Sequence, residues 1–410
     1  MSHPLVGGRN YCDVRDRTEA LAAPLGPEDQ VVQSMPDCSP TKWHRAHTTW
    51  FFEEFVLGPH APGYEEVDPD NRFLFNSYYE SVGARQPRPR RGMITRPTVA
   101  QVGDYRSRVD DAMVGLIDRG VPPEVATLVE LGLHHEEQHQ ELLLMDAKHL
   151  LFQNPLRPTY SDDAPTPGPA PEPGPAGWIH HDGGLVEIGH DGSGFAYDNE
   201  SPRHSVHLAP FALADRLVTC GEWLEFIADG GYHRPDLWLS DGWAQVNAQG
   251  WDAPLYWDTC DGAESGGGDP DGSWEVFTLA GVQPMRPDDP VLHVSLYEAD
   301  AFARWAGARL PTEAEWEAVA GRRWTATGPD PHQFRSAGWQ WTATSYLAYP
   351  GFRPAAGAVG EYNGKFMVNQ HVLRGGCCAT PPGHARSTYR NFYPPGSRWM
   401  FGGVRLARDV

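Results

Sequence analysis

Proline occupies every second position from Pro165 to Pro175. Such a run lacks most backbone N–H donors and has fixed φ angles, so it forms neither helix nor sheet and is typical of a semi-rigid linker. The chain has 410 residues, which is too long for one ordinary hydrophobic core. The sequence therefore predicts two domains, residues 1–160 and 178–410, joined by a linker at residues 161–177.

Helical patterns dominate the part before this linker. Ser39 followed by Pro40 predicts a helix start with Ser39 as the N-cap, and the helix that follows has an apolar stripe. His47 lies on that stripe, on the same face as Trp43. His44 lies one residue off the stripe, so we expect it at the surface or in a cap.

A further helix is predicted from Leu133 to Asp146, because the segment contains good helix formers and no Gly or Pro. His135 and His139 are four residues apart, so on a helix their imidazoles share one face and can bind one metal. The string also fits the H-E-x-x-H pattern of zinc metalloproteases, in which Glu136 would be the general base. From these residues alone, an incidental pair, a zinc site and a site for another metal all stay open.

The remaining helical patterns cover residues 98–118 and the segment that Pro122 and Pro123 open. Long helices with two crossing connections are typical of a four-helix bundle, and bundles build metal sites from side chains on facing helices. A third ligand on another helix would therefore decide whether the histidine pair binds a metal.

Two unusual clusters lie between these helices. Tyr78 and Tyr79 are adjacent in a predicted loop or short helix, and four arginines fall within the seven residues from Arg85 to Arg91. In a chain with a net charge of −21, such a basic cluster indicates an anion site, for example for a carboxylate. A solvated loop is the alternative that composition leaves open.

Composition excludes several classes of function. The net charge and a pI near 5.2 argue against nucleic acid or an anionic membrane as a partner. The sequence contains no run of 18 apolar residues, so no membrane span is predicted. The N-terminal residues do not resemble a signal peptide. The few scattered cysteines fit free thiols in a reducing cytoplasm. They are Cys12, Cys38, Cys220, Cys260, Cys377 and Cys378.

The part after the linker has a different texture. Gly183–Gly189 and His204–Leu208 are predicted to be strands, and Pro311 and Thr312 mark the start of a short helix. Short elements of both kinds alternate with long loops. The predicted fold class is therefore α+β, with a helical bundle followed by a mixed domain.

Four strings in this second part resemble the formylglycine-generating-enzyme (sulfatase-modifying factor) family, which has a C-type-lectin-like architecture. They are Arg309–Glu317, Trp339–Thr342, Leu373–Gly376 and Gly403–Arg405. The first part resembles a DinB-like four-helix bundle. In this order the two parts resemble the EgtB-type sulfoxide synthases of ergothioneine biosynthesis, a family of non-haem iron enzymes. Ser39–Glu53, the helix with the histidine pair and Tyr389–Pro395 fit one subgroup of that family.

The resemblance implies a metal and its ligands. Members of the family bind iron(II), Fe(2+), through three histidines, which here would be His47, His135 and His139. Three neutral imidazoles leave open positions for substrate and O2. This ligand set argues against the protease interpretation. Glu136 and Glu137 are then expected either to support the metal ligands without binding the metal or to be solvated.

The resemblance also implies a reaction. In the family, hercynine (N-trimethylhistidine) and a thiol bind at the iron with O2, and a C–S bond forms at the imidazole C2 carbon as the sulfur is oxygenated to a sulfoxide. A catalytic tyrosine comes from the tandem pair, so Tyr78 and Tyr79 are both candidates. A phenol there would deliver a proton to reduced oxygen and prevent simple thiol dioxygenation.

Further residues match substrate-binding positions of the family. Arg88 and Arg91 match arginines that hold the carboxylate of the sulfur donor. Gln138 and Asn391 match positions near the ammonium of hercynine.

Two aromatic residues and a cysteine pair refine this interpretation. Phe392 lies where an aromatic face would meet a trimethylammonium group. Tyr393 replaces an acidic residue found in users of γ-glutamylcysteine, which favours free cysteine as the donor. Formylglycine-generating enzymes place two copper-binding cysteines five residues apart in this region, whereas Cys377 and Cys378 are adjacent, so that activity is not expected. For Cys377 we favour a packing role over substrate contact.

Three alternatives remain. Selenoneine synthases share the architecture and join hercynine to a selenosugar, which has no carboxylate, so Arg88 and Arg91 favour cysteine over this donor. Ovothiol-type synthases attack histidine at C5 and commonly carry a methyltransferase domain, of which these residues show no sign. A non-catalytic lectin-like binding protein has no need for three histidines.

Overall fold

The computed structural model describes the chain except residues 1–4, 169–173, 260–273, 325–328, 355–359 and 361–362. Its contacts divide the chain into two compact units. The first comprises Met1–Ser161 with Pro354–Tyr362, and the second comprises Asp162–Arg353 with Asn363–Val410. Part of the predicted proline-rich linker lies outside the described residues, as does Cys260.

The first unit is helical, and four long helices form a bundle. A short hairpin, β1 (Leu5–Val6) and β2 (Arg9–Asn10), precedes them. The long helices are α1 (Tyr11–Ala22), α2 (Thr41–Phe52), α5 (Val99–Asp118) and α6 (Pro123–Gln153). A π-helical turn (Glu53–Leu57), two short helices, α3 (Gly58–His60) and α4 (Asn71–Phe75), and a 3₁₀ turn (Arg88–Met93) lie between α2 and α5.

Helix α2 lies at the centre of this bundle. All of its residues are buried, and it packs against both α5 and α6. Gly132 lets α6 approach it closely, because a Cβ atom there would lie 2.5 Å from the Phe52 ring and 2.9 Å from the Phe51 ring. Because α2 is buried between other helices, its side chains contact several neighbouring helices.

The start of α2 differs from the prediction. Its N-cap position is Pro40, and no side chain caps the helix. Ser39 has other partners: its backbone N–H donates to Asp146 Oδ2 at 2.8 Å, and its hydroxyl accepts from Arg91 at 2.9 Å. The predicted helix at residues 98–118 is confirmed as α5, which Thr98 caps in a reciprocal arrangement with Gln101.

In its described residues, the second unit contains four small sheets and four α-helices. The largest sheet has the order β12–β11–β10–β13, and a second sheet has the order β14–β6–β3. Strands β4 and β5 form a hairpin, and β7, β8 and β9 form a meander. The strands are β3 (Trp178–His181), β4 (Gly184–Ile188), β5 (His204–Leu208), β6 (Phe211–Ala214), β7 (Trp257–Thr259), β8 (Trp274–Thr278), β9 (Gly281–Pro284), β10 (Trp339–Ser345), β11 (His371–Arg374), β12 (Asn391–Tyr393), β13 (Gly402–Gly403) and β14 (Ala407–Asp409).

The helices of this unit are α7 (Cys220–Ala228), α8 (Ser240–Gln249), α9 (Leu296–Trp305) and α10 (Glu313–Ala320). Helix α10 begins at the predicted site, with Thr312 as its cap. Its residue Trp316 packs in a core with Phe211 and Phe334, and its indole N–H donates to Gln340. The α+β architecture predicted from the sequence is confirmed. None of the helices in the described part of the chain combines the length and apolarity needed to cross a lipid bilayer.

Candidate metal centre

Three imidazoles from two helices of the first unit converge. His47 lies on α2, and His135 and His139 lie one turn apart on α6. One ring nitrogen of each lies within 4.8 Å of the others, and His47 Nε2 is 3.2 Å from His135 Nε2. Three nitrogen donors at this separation can bind one metal ion.

Burial sets the charge of these imidazoles. Burial, together with nearby His44, lowers the pKa of His135 to about 3, although the charge of Glu136 acts in the opposite direction. The pKa values of His47 and His139 are also well below the usual range, first because of burial and then because of neighbouring histidines. All three rings are therefore neutral at physiological pH, which is the form that binds metals.

A backbone carbonyl and two indoles orient His47. Its Nδ1 donates to the carbonyl of Phe75 at 2.6 Å, which leaves the Nε2 lone pair facing His135. The ring stacks on Trp43 with centroids 4.5 Å apart and an interplanar angle of 12°, and on Trp50 at 5.7 Å and 21°. The tautomer and the plane of His47 are thus both fixed within the first unit.

His44 is not at the surface, contrary to our prediction. It is only 3% exposed, and its Nδ1 lies 2.8 Å from Nδ1 of His139. Its Nε2 lies 3.1 Å from Asp146 Oδ2. The sequence did contain one relevant signal. His44 and His47 are three residues apart, so their side chains are neighbours on α2 and can both face the same adjacent helix.

Glu136 faces a different set of partners. It is fully buried and accepts hydrogen bonds from Arg15 at 2.6 Å, Thr18 at 2.7 Å and Arg106 at 2.9 Å. Burial alone would raise the pKa of this carboxyl, but the two guanidinium groups hold it below its usual value. Glu136 is therefore neither solvated nor available as a general base of the zinc-protease type. Glu137 is paired with Arg9 at 2.9 Å.

Arg91 is a buried cation in the 3₁₀ turn that precedes α5. It is 3% exposed, and its guanidinium lies over Trp43, 3.4 Å from the ring centroid. It donates to the hydroxyls of Ser39 and Ser77, each at 2.9 Å. Among the described residues no carboxylate lies within ion-pair distance of it. Burial, followed by the charge of Arg88, holds the pKa of this guanidinium well below its usual range, and Asp146 opposes that shift only in part. Arg88 is exposed and donates to the backbone carbonyl of Asp37.

The tandem tyrosines belong to the same unit. Tyr79 is buried and packs on Trp50, with ring centroids 5.9 Å apart. Tyr78 is half-buried, and the two hydroxyl oxygens are 3.5 Å apart. Since Trp50 stacks on His47, Tyr79 lies one aromatic ring away from the imidazole cluster, and Tyr78 packs on Tyr79.

Comparisons with known proteins are consistent with this geometry. Residues 164–337 match the family model described as sulfatase-modifying factor enzyme 1-like domain. The hercynine oxygenase of Mycolicibacterium smegmatis is 32% identical, over 92% of this chain and 93% of the relative. That of Mycobacterium tuberculosis is also 32% identical, over 92% of each protein. The chain belongs to the hercynine oxygenase family. The family resemblance noted in the sequence is thereby confirmed.

Likeness to formylglycine-generating enzymes covers less of the chain. The enzyme of Streptomyces coelicolor is 36% identical over 39% of this chain and 56% of its own length. In the described part of the chain, neither Cys377 nor Cys378 forms a disulfide. Cys377 is buried, and its sulfur lies 3.4 Å from the Thr380 hydroxyl. The match to hercynine oxygenases, in contrast, extends over both units.

The other predicted site residues of this hercynine oxygenase family member are distributed over both units. Gln138 lies half-buried on α6 beside His139. Asn391, Phe392 and Tyr393 form β12 of the second unit. Phe392 stacks on Tyr346, with centroids 4.0 Å apart and nearly parallel planes.

Proposed function

We propose that this protein is an iron(II)-dependent oxygenase of ergothioneine biosynthesis that joins hercynine to cysteine or γ-glutamylcysteine. In the overall reaction, hercynine loses the hydrogen on its imidazole C2 and the thiol loses its S–H hydrogen. One atom of O2 becomes the sulfoxide oxygen, and the other leaves as water with the two hydrogens. The observation that carries the proposal is the convergence of three neutral imidazoles in a chain homologous to hercynine oxygenases over nearly its full length.

His47, His135 and His139 are the proposed metal ligands. Imidazole suits iron as well as zinc and copper, so the donor set fits iron(II) without selecting it. Bound there, iron(II) would supply open positions for an imidazole, a thiolate and O2, and the electrons that activate O2. Three neutral ligands leave its charge uncompensated, which favours an anionic thiolate as a further ligand.

Arg91, together with Arg88, is the proposed partner of the donor's carboxylate. A buried guanidinium without an ion pair is costly, and an incoming carboxylate would supply the missing negative charge. Ser39 and Ser77 hold two of its nitrogens, so the group is oriented before the donor binds. Cysteine carries the required carboxylate, whereas a selenosugar does not.

Tyr78 and Tyr79 are the proposed proton donors to reduced oxygen. Their hydroxyls are 3.5 Å apart, so a proton lost by one can be replaced by the other. Proton delivery at this point separates sulfoxide formation from simple oxidation of the thiol to a sulfinate.

The remaining assignments belong to the same proposal. Gln138, Asn391 and Phe392 are proposed contacts of hercynine, and Tyr393 is proposed to favour cysteine over γ-glutamylcysteine. Residues 1–160 and 178–410 are the proposed domains, with the linker at 161–177. A cytoplasmic location is supported by the free thiols among the described cysteines.

One experiment tests this function directly. Purified protein loaded with iron(II) is given hercynine, O2 and, in turn, cysteine, γ-glutamylcysteine or a selenosugar, and products are identified by mass spectrometry. We expect a hercynine–cysteine sulfoxide. Turnover of the selenosugar alone would select the selenoneine synthase alternative, and no consumption of hercynine with any donor would refute the enzyme.

A matched variant tests the ligand set. His139→Ala leaves two imidazoles, so we expect loss of both bound iron and product. Full iron stoichiometry in this variant would refute His139 as a ligand. Iron-dependent O2 consumption by the wild type distinguishes an oxygenase from a lectin-like binding protein.

A further inference from the structure

A continuous chain of polar contacts lies behind His139. His139 Nδ1 is 2.8 Å from His44 Nδ1, and His44 Nε2 is 3.1 Å from Asp146 Oδ2. The same carboxylate oxygen accepts the backbone N–H of Ser39 at 2.8 Å. His44, Asp146 and Ser39 are all at least nine-tenths buried. The chain therefore links the start of α2 to two positions on α6 in an environment with little water.

Hydrogen-bond chemistry assigns a direction to this chain. An ionised carboxylate is an acceptor only, so His44 Nε2 carries the hydrogen that it donates to Asp146. A neutral imidazole has one donor and one acceptor nitrogen. With His44 in that form, its Nδ1 is an acceptor. The facing nitrogen, His139 Nδ1, must carry the second hydrogen. His139 Nε2 is left with a free lone pair.

We propose that His44 and Asp146 are positioning residues that fix His139 as its Nδ1–H tautomer and hold its Nε2 ready for the metal. The inference rests on the proposed function, because it takes the three-histidine cluster as a metal site. Neither residue touches the metal or a substrate in this role. Each acts through His139.

His47 does not need such a device. His47 obtains its tautomer from a backbone carbonyl, that of Phe75, which the fold supplies without a side chain. His139 is the least buried of the three histidines, so its ring has more freedom to turn or to take the other tautomer. A carboxylate–imidazole pair restrains that ring and makes its metal-binding nitrogen more basic.

The affinity for metal measures the role of these hydrogen bonds and requires no catalytic turnover. Iron(II) is titrated anaerobically into metal-free protein against a competing chelator, and cobalt(II) absorption reports the ligand geometry. We expect His44→Leu to weaken binding by about 10- to 100-fold, the usual effect of removing a partner of a ligand. His44→Gln should restore most of the affinity, since an amide can accept from His139 and donate to Asp146.

Two further variants complete the set. Asp146→Asn should weaken binding in the wild-type background but add little to His44→Leu, because the carboxylate reaches His139 only through His44. His149→Gln is the matched control. His149 is a buried histidine on α6, the helix of His139 and Asp146, and it is hydrogen-bonded to Ser34 at 2.7 Å. We expect its substitution to leave metal affinity unchanged. Thermal unfolding of every variant separates loss of fold from loss of positioning.

The tautomer is measured independently on metal-free protein by ¹⁵N NMR of labelled histidines. We expect a hydrogen on Nδ1 of His139 in the wild type and in His44→Gln, and loss of this preference in His44→Leu. A hydrogen on Nε2 of His139 in the wild type would overturn the inference. Equal metal affinity of the wild type and a folded His44→Leu protein would also overturn it, while leaving the proposed function intact. Failure of the wild type to bind iron or cobalt would refute the metal site and the positioning role together.

Discussion

His135 and Glu136 are neighbours in the sequence but have opposite electrostatic environments. His135 is surrounded by aromatic rings and other neutral imidazoles, and burial keeps it uncharged. Glu136 is surrounded by guanidinium groups that keep it charged. In the protease-like string, His135 therefore faces the candidate metal site, whereas Glu136 faces a network of ion pairs.

This contrast predicts how pH affects the metal-free protein. The pKa of His135 is about 3 in the fold and about 6.5 in an unfolded chain. Between these values the unfolded chain binds a proton that the folded chain does not, so stability falls as the pH falls below 6.5. Urea unfolding from pH 7.5 to 5 should show a larger loss for the wild type than for His135→Gln. Parallel curves would contradict the assignment of a neutral buried imidazole.

The tyrosine pair gives a prediction on product identity. In Tyr78→Phe and Tyr79→Phe the ring packing is retained and one hydroxyl is lost. If that hydroxyl delivers the proton, the sulfoxide yield should fall and cysteine sulfinate should rise, as measured by mass spectrometry. An unchanged product ratio in both variants would exclude the two tyrosines from proton delivery.

The sequence predicted some of these residues and missed others for physical reasons. The four-residue spacing of His135 and His139 was sufficient to place them on one helix face. His44 was misplaced because a helical stripe distinguishes buried from exposed positions only when one face meets water. Helix α2 is buried on all sides, so the stripe carried no such information. Asp146 was missed because only the folded chain brings it to His44.

At the scale of elements, the approach of α6 to α2 depends on Gly132. In Gly132→Ala, the new methyl would meet the rings of Phe51 and Phe52 and push apart the two helices that carry the histidines. We expect a loss of about 1–3 kcal/mol of stability and weaker metal binding, measured by denaturant unfolding and metal titration.

A second glycine provides the control for this prediction. At Gly115 on α5, the nearest atom to an added Cβ is the flexible end of Arg119 at 3.5 Å. Gly115→Ala should be neutral or stabilising by up to about 1 kcal/mol, since alanine favours a helix. Similar effects of the two substitutions would show that close packing at Gly132 is unimportant.

The ion pairs of Glu136 join three helices, because Arg15 lies on α1 and Arg106 on α5. Glu136→Gln leaves two buried cations without this partner, and such losses cost about 3–5 kcal/mol. Glu54→Gln breaks a surface pair with Arg72 and should cost less than about 1 kcal/mol. Comparable unfolding midpoints for the two variants would contradict a structural role for Glu136.

Local capping signals had mixed success at this scale. Thr312 caps the helix whose start the sequence predicted. Thr98 caps α5 in the same way, since each faces a glutamine or glutamate three residues later. Ser39 has no such partner in the helix, and its polar groups are engaged by Asp146 and Arg91. Tertiary contacts outweighed the local pattern there.

At the scale of the whole molecule, the division of the chain predicts where the metal site resides. All three histidines, His44 and Asp146 belong to the first unit. If a protease site is introduced between Pro165 and Pro175 and cleaved, the purified N-terminal fragment should still bind one iron(II), as measured by titration. The intact engineered chain is the control. A fragment that is folded but binds no metal would contradict a site contained within this unit.

The proline run is a local signal, so the sequence alone predicts a linker there. The detailed arrangement of the second unit was not predicted, because its short strands pair across long separations. For example, β10 pairs with β11 and, in parallel, with β13. Such pairings depend on the whole unit and leave little trace in any one segment.

The stack of Arg91, Trp43 and His47 has an evolutionary consequence. The guanidinium lies on one indole, and the same indole lies on the imidazole. A substitution at Arg91 that adapts the protein to a donor without a carboxylate would also remove the support beneath Trp43, and with it part of the packing of His47. Among homologues, changes in donor specificity should therefore occur together with substitutions around His47.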